Sequence, residues 1–254
     1  MAKLYKSYNE LQHQYNQKRK MVIELGITAF LLIALAIGLI SCAPKGIAFV
    51  CAAVAVTAIA YAQEPWRGLQ TLRPGIKGEI MALNVINRNL PDSFAVFHSI
   101  EIQANNRRGE IDIVVVSLNG VFLIEVKNYL GIITGCDGDG DWLQTKITNA
   151  GKRYENCVRN PVTEVNRHKQ IFSRELLRND INVPLIPLVF LVNPKSRYHI
   201  SSGQFPIFTS GNNLCQFIIN YRTSYQLDQA TIRQLETLLC EKQKMVEERL
   251  LVNQ

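Results

Sequence analysis

Two stretches without a single Asp, Glu, Lys or Arg dominate the first quarter of the chain: Leu25 to Ala43, LGITAFLLIALAIGLISCA, and Gly46 to Gln63, GIAFVCAAVAVTAIAYAQ. Each approaches the ~20 apolar residues a helix needs to cross a bilayer. They predict a transmembrane hairpin, with Pro44 and Lys45 in its turn and Trp66 at the headgroup level. A cleaved signal peptide followed by a buried apolar helix is the competing reading. Against it, the basic region covers residues 1–20, and no A-x-A site stands apart from the second run.

Charge placement orients the hairpin. Within residues 1–20, Lys3, Lys6, Lys18, Arg19 and Lys20 face only Glu10, and the loop between the runs offers only Lys45. The positive-inside rule keeps such an N-terminus in the cytoplasm, and two spans return the chain there. The expected organisation is a basic cytoplasmic segment (1–22), the hairpin (23–66), a cytoplasmic domain (67–212) and a C-terminal helical extension (213–254), in a multi-pass protein of the cell membrane. Six cysteines without C-x-x-C spacing exclude a zinc ribbon and a disulfide framework. The net charge of +7 leaves 22 basic against 18 acidic residues after Trp66, a small excess that hints at an anionic partner.

Past the hairpin, PGIKGEIMALNVINRN (74–89) has Pro at its start and Ile76, Ile80, Leu83 and Ile86 at helical spacing. FAVFHSIEI (94–102) reads as a strand, NNRRG as a turn, and GEIDIVVVSLNGVFLIEVKNY (109–129) as two more strands. LGIIT is a fourth strand before GCDGDGDW, whose acids lack the bidentate Glu and flanking helices of a calcium loop, so a solvated turn is expected. Asn160-Pro161 is an N-cap followed by Pro at the first helical position, opening a helix to about Asp180. VPLIPLVFLV (183–192) and QFPIFTS (204–210) read as strands, NNLCQFIINY and DQATIRQLETLLCEKQKMVEERLL as helices. This order predicts an α/β layer: a mixed sheet covered by helices.

The 109–129 hairpin carries the chemistry. Asn119-Gly120 is a strong two-residue turn signal, and a loop there sets Val116 opposite Leu123, Val114 opposite Glu125 and Asp112 opposite Lys127. Alternation then puts Asp112, Glu125 and Lys127 on one face, with Ile111, Ile113, Val115, Phe122, Ile124 and Val126 on the other. Two carboxylates suit a hard divalent cation such as Mg²⁺, completed by a backbone carbonyl and waters. The Lys127 ammonium could then orient or deprotonate an attacking water and stabilise developing negative charge. A plain cross-strand Asp–Lys salt bridge accounts for the same residues.

Asp112, a hairpin turn and Glu125-Val126-Lys127, after a helix bearing Glu79, resemble the PD-(D/E)xK nuclease superfamily. More specifically, Gly75 to Glu79 (GxxGE), RRGEIDIVVV, VFLIEVKNYLG and Asn160-Pro161 resemble the nuclease-related domain, NERD, over roughly residues 72–180. Ile111 stands where the superfamily name has Pro, and Glu164 where the NERD pattern has Gln. The resemblance implies a restriction-endonuclease-like mixed sheet flanked by helices and an endonuclease dependent on Mg²⁺ or Mn²⁺. It implies metal ligation by Asp112, Glu125 and the Val126 carbonyl, catalysis by Lys127, and Glu79 on a metal-bound water or a second metal. Read without the resemblance, Glu79 is equally a helix N-terminal acid favoured by the dipole.

From Lys146 to Arg178, eight basic residues face three acidic ones. Lys152, Arg153, Arg159, Arg167, Arg174 and Arg178 are the candidates for phosphate contact, and a solvated helix face is the alternative. His98 and His168 have no partner in sequence and read as structural. The leading expectation is a membrane-anchored nuclease acting on nucleic acid, DNA foremost, with the bilayer and a second copy of the chain as further partners. The alternative is a non-catalytic module of the same fold that binds nucleic acid or protein. Alkaline phosphatase fused after Trp66 should be inactive, and a cytoplasm-active reporter there active; the reverse pattern would mean that the second run does not span.

Overall fold

The computed structural model describes residues 1–7, 10–39, 45–148, 150–201, 203, 205–223 and 226–252; Cys42, Pro44 of the expected turn and Gln204 of the expected strand at 204–210 lie outside these. The chain forms two compact units, residues 10–76, and residues 1–9 together with 77–254.

The 10–76 unit comprises α1 (Glu10–Leu39) and the first part of α2 (Lys45–Asn89). Pro74 does not begin a helix as its position suggests. α2 runs through both Pro65 and Pro74, because an internal proline removes one backbone hydrogen bond without obliging a well-supported helix to stop. Both helices contain a stretch long and apolar enough to cross a membrane, only 11% and 17% of it buried. Phe30, Phe49 and Tyr61 are 70–76% exposed, whereas the core helix of a water-soluble protein would cover such side chains.

In the other unit, a mixed sheet has the order β1 (Lys3–Tyr5), β2 (Ala95–Ala104), β3 (Arg107–Ser117), β4 (Gly120–Lys127), β8 (Leu185–Leu191) and β10 (Ile207–Phe208). β2, β3 and β4 are antiparallel neighbours, while β4–β8, β8–β10 and β1–β2 pair in parallel. A second sheet contains β7 (Arg153–Arg159), β6 (Asp141–Ile147), β5 (Ile132–Cys136) and β9 (Arg197–Ser201). The end of α2, α3 (Pro161–Arg178), α4 (Gly211–Asn220) and α5 (Gln229–Val252) are the helices of this unit among the described residues.

Helices cover both faces of the first sheet. On one, Leu83 and Ile86 of α2 and Leu214 and Ile218 of α4 pack on Val96, Val115, Phe122 and Leu188. On the other, Val165 and Phe172 of α3 and Leu235 and Leu239 of α5 pack on Phe97, Val114, Leu123 and Val189. The Asn160 cap forms as expected: its side chain accepts the Val162 N–H at 2.9 Å. Its amide also donates to the carbonyls of Cys136, Asp137 and Asp139, so the Asp-rich loop closes on a protein amide, in keeping with a turn.

Three strand expectations change. The hairpin loop is Leu118-Asn119, not Asn119-Gly120: Ser117 pairs with Gly120 and Val116 with Val121. Gly120 has φ +132°, a conformation glycine adopts without a Cβ clash. Ile111 does not share a face with Ile113 and lies in the core with Val114. The cause is a kink across β2 and β3, where Ser99 has φ +54° and regular pairing skips from His98–Ile113 to Ile100–Ile111. Residues 3–5 form an edge strand within the segment expected to be only a basic tail, its three residues too short to display a period.

Candidate active site

The kink sets the site. Asp112 lies at the skipped position, and its Oδ2 accepts the Val126 N–H at 2.7 Å, a donor that a regular ladder would give to a β3 carbonyl. Within a strand, a residue's N–H and C=O point toward the same neighbour, so the Val126 carbonyl also looks toward Asp112. Regular β3–β4 pairing ends at Ile113–Ile124, leaving the strands splayed around these groups.

On the α3 side, Glu125 is nearly fully buried. Lys127 Nζ donates to Glu125 Oε1 at 2.8 Å and lies 2.7 Å from Glu164 Oε2, a charge contact without hydrogen-bond alignment. Glu125 Oε2 has only His168 Nδ1, at 3.4 Å and poorly aligned, so both buried atoms lack a hydrogen bond. Arg167 Nη2 meets His168 Nε2 at 3.0 Å. Arginine can only donate, which assigns the His168 proton to Nδ1, toward Glu125.

On the α2 side, Glu79 Oε2 sits 3.0 Å from His98 Nε2, and Glu79 is close enough to Asp112 to act on its ionisation. Glu110 accepts a hydrogen bond from Ser99 Oγ. Burial, and then Glu79 and Glu101, push the Glu110 carboxyl up against the opposing pull of the Ser99 bond.

Two motif glycines bring these elements together. A Cβ on Gly78 would sit 2.6 Å from Asn128 Cβ, just after Lys127, so the bare position lets α2 bring Glu79 against the end of β4. A Cβ on Gly109 would lie 2.8 Å from His168 Cδ2, in the space the imidazole uses to reach Glu125.

The site is crowded with negative charge. Burial, then the charges of Glu125 and Glu79, hold Asp112 well above the usual carboxylate range despite Lys127 and the Val126 bond. Burial also pushes Glu125 up, but His168 and Lys127 outweigh it and hold that carboxyl low. Lys127 would be pushed down by burial, yet Glu125, Asp112 and Glu164 hold its ammonium charged far above its ordinary range. In this arrangement Lys127 is a fixed cation and hydrogen-bond donor.

The residues present fit a hard divalent cation. Asp112 and Glu125 are oxygen donors with a carbonyl beside them, one Glu125 oxygen is buried without a hydrogen bond, and Asp112 is starved of positive charge. Among the described residues no three His, Cys, Asp or Glu side chains form a metal cluster, so any ion here would take two carboxylates, the Val126 carbonyl and waters. Glu79, engaged with His98, would act from outside that set.

The expected nucleic-acid residues divide between two elements. Lys152, Arg153 and Arg159 are at or near β7, whereas Arg167, Arg174 and Arg178 are exposed on α3. Arg153 pairs with Glu155 at 2.6 Å. Arg167 donates to the Arg108 carbonyl at 3.1 Å, and Arg178 to Asn105 Oδ1, so two members of the α3 stripe brace the β2–β3 turn. Sequence reasoning missed four residues: His98, His168, Glu110 and, as a partner of Lys127, Glu164. No spacing rule links His168 to Glu125 across 43 positions; Glu110, two residues before Asp112, was the visible clue.

Residues 74–192 match the family model described as nuclease-related domain, NERD. The matched segment runs from Pro74 through the Asp112–Lys127 hairpin and α3 to the end of β8, so it contains the whole charged cluster. Comparison with curated proteins and with solved structures finds no match to either.

If the two glycines act sterically, Gly78→Ala and Gly109→Ala should each lower the thermal unfolding midpoint of the purified chain by about 3–10 °C, the equivalent of ~1–3 kcal/mol of overpacking. Alanine at Gly78 gains up to ~1 kcal/mol of helix propensity, which the Asn128 overlap exceeds. Gly138→Ala, with nothing within 4 Å of its Cβ, is the control. Equal midpoints in all three would show that the glycines do not set these approaches.

Proposed function

We propose that the chain is a membrane-anchored, metal-dependent nuclease that hydrolyses phosphodiester bonds of nucleic acid, DNA foremost, on the cytoplasmic side. The observation that carries this reading is the buried Glu125, one oxygen of it left without a hydrogen bond, grouped with the half-buried Asp112 and Lys127 inside the nuclease-related segment. Asp112, Glu125 and the Val126 carbonyl would hold Mg²⁺ or Mn²⁺, which when bound polarises a phosphoryl oxygen and acidifies water.

The chain's own residues do the rest. The Lys127 ammonium, fixed between Glu125 and Glu164, faces the negative charge that grows on the phosphoryl oxygens as water adds and the P–O bond to the leaving sugar oxygen breaks. His168, oriented by Arg167, turns its Nδ1–H toward Glu125 at 3.4 Å without closing a hydrogen bond, and so leaves that oxygen open to a cation. Glu79, steadied by His98, can take a hydrogen bond from a site water. Lys152, Arg159 and Arg174 are the cations of the expected set that hold no side-chain partner among the described residues, which leaves them available to phosphates.

Anchoring draws support from the two exposed apolar helices and from connectivity. β1 belongs to the same compact unit as residues 77–254, so a membrane crossed by residues 10–76 must be crossed an even number of times. The basic N-terminus favours the cytoplasmic side for that unit.

The test is cleavage by the purified full chain of single- and double-stranded DNA and RNA in Mg²⁺ and in Mn²⁺. Asp112→Asn, Glu125→Gln and Lys127→Ala should each lower the rate at least about 10²-fold, the scale of one lost electrostatic contact to a transition state, with circular dichroism unchanged. Absence of cleavage by the wild-type chain on every substrate would favour a binding module, and wild-type rates in all three variants would place the chemistry elsewhere.

A further inference from the structure

The 10–76 unit holds a cavity of about 340 Å³ between its helices, lined on α1 by Arg19, Val22 and Ile23 and on α2 by Trp66, Leu69 and Arg73. Its place along the helices is informative. Residues 19–23 immediately precede the first uncharged run, and residues 66–73 follow the second. The cavity therefore sits where both helices change from apolar to polar, with guanidinium groups toward the polar side and aliphatic side chains toward the apolar side.

Arg19 and Arg73 are exposed and make no hydrogen bond or ion pair among the described residues. Two unpaired guanidinium groups lining one cavity call for an anion, and their planar forks suit phosphate oxygens. A free inorganic anion would have no use for the Val22, Ile23 and Leu69 wall. A phospholipid satisfies both halves: its phosphate can lie between the arginines and its glycerol and upper acyl carbons against the aliphatic residues. Trp66 marks the headgroup level. Lys18 adds a third cation at this end, lying across α2 at Gly68, where a Cβ would fall 2.8–2.9 Å from its outer side-chain atoms.

We infer that this cavity is a binding site for one anionic phospholipid of the leaflet facing the domain, held through its phosphate by Arg19 and Arg73. Basic pockets between membrane helices are suited to such headgroups. The inference rests on the membrane reading and is independent of the nuclease chemistry.

The experiment uses the full chain reconstituted into vesicles of phosphatidylcholine, with and without about one-third phosphatidylglycerol. Alkaline carbonate extraction tests insertion, and native mass spectrometry counts retained lipid. The wild-type chain should resist extraction from both membranes and retain one phosphatidylglycerol in preference to phosphatidylcholine. Arg19→Gln and Arg73→Gln should each reduce that preference by about fivefold, the scale of one basic residue at an anionic surface. Arg222→Gln, in the other unit, should leave it unchanged. A wild-type chain extracted by carbonate overturns the membrane reading and this site with it. A chain that resists extraction but shows no preference, or whose preference survives the double substitution, overturns the lipid site alone. Displacement of the lipid by millimolar inorganic phosphate would identify a free-anion site instead.

Discussion

The hydrogen bond from the Val126 N–H to the Asp112 carboxylate organises the end of the sheet that carries the candidate site. It replaces a backbone partner with a side chain where β2 and β3 kink at Ser99 and Asp112. The kink turns the side chains beyond it, so Ile111 joins the core beside Val114 and Asp112 is left between the two helical layers. From there it feels Glu79 on the α2 side and Glu125 and Lys127 on the α3 side. A regular ladder would have kept Asp112 on the α3 face with Glu125, away from Glu79.

The cost of the arrangement is electrostatic. Glu79, Glu110, Asp112, Glu125 and Glu164 gather around one lysine and two histidines, and the like charges of Glu125 and Glu79 add to burial in holding the Asp112 carboxyl up. Lys127 pulls the Asp112 carboxyl down without offsetting burial and those two acids. Divalent charge at Asp112 and Glu125 would relieve the crowding and occupy the unbonded Glu125 oxygen. Glu164, where the family pattern has Gln, adds a second anion to Lys127 and makes this lysine a more firmly held cation than one carboxylate would.

Much of this was legible in the sequence, for reasons that parity makes plain. The expected loop was displaced by one residue, but the opposed pairs changed by an even step, from Val116–Leu123 to Val116–Val121, so Glu125 and Lys127 kept the expected side, while the kink moved Asp112 from that side to a place between the layers. The Asn160 cap and the α3 helix were read correctly because capping is local chemistry. What is made by distant chain segments was not legible. His98 and His168 meet their carboxylates only through the packing of α2 and α3. β6 and β7 carry no clear alternation, β9 is only five residues long, and RYENCVR is almost wholly exposed as an edge strand. Pro74 looked like a helix start because nothing local reveals that a helix already precedes it.

The central claim is that the splayed end of β3 and β4 is a cation site built on Asp112 and Glu125. Calorimetric titration of Mn²⁺ into the purified full chain tests it without requiring a substrate. The wild-type chain should bind, and Asp112→Asn and Glu125→Gln should each weaken binding about tenfold or more, since each removes an anionic oxygen from a hard cation. Lys127→Ala should bind at least as tightly as the wild type, because the variant frees both carboxylates from a competing ammonium. Wild-type Mn²⁺ affinity in both carboxylate variants would contradict the claim and leave the cluster as a buried ion-pair network.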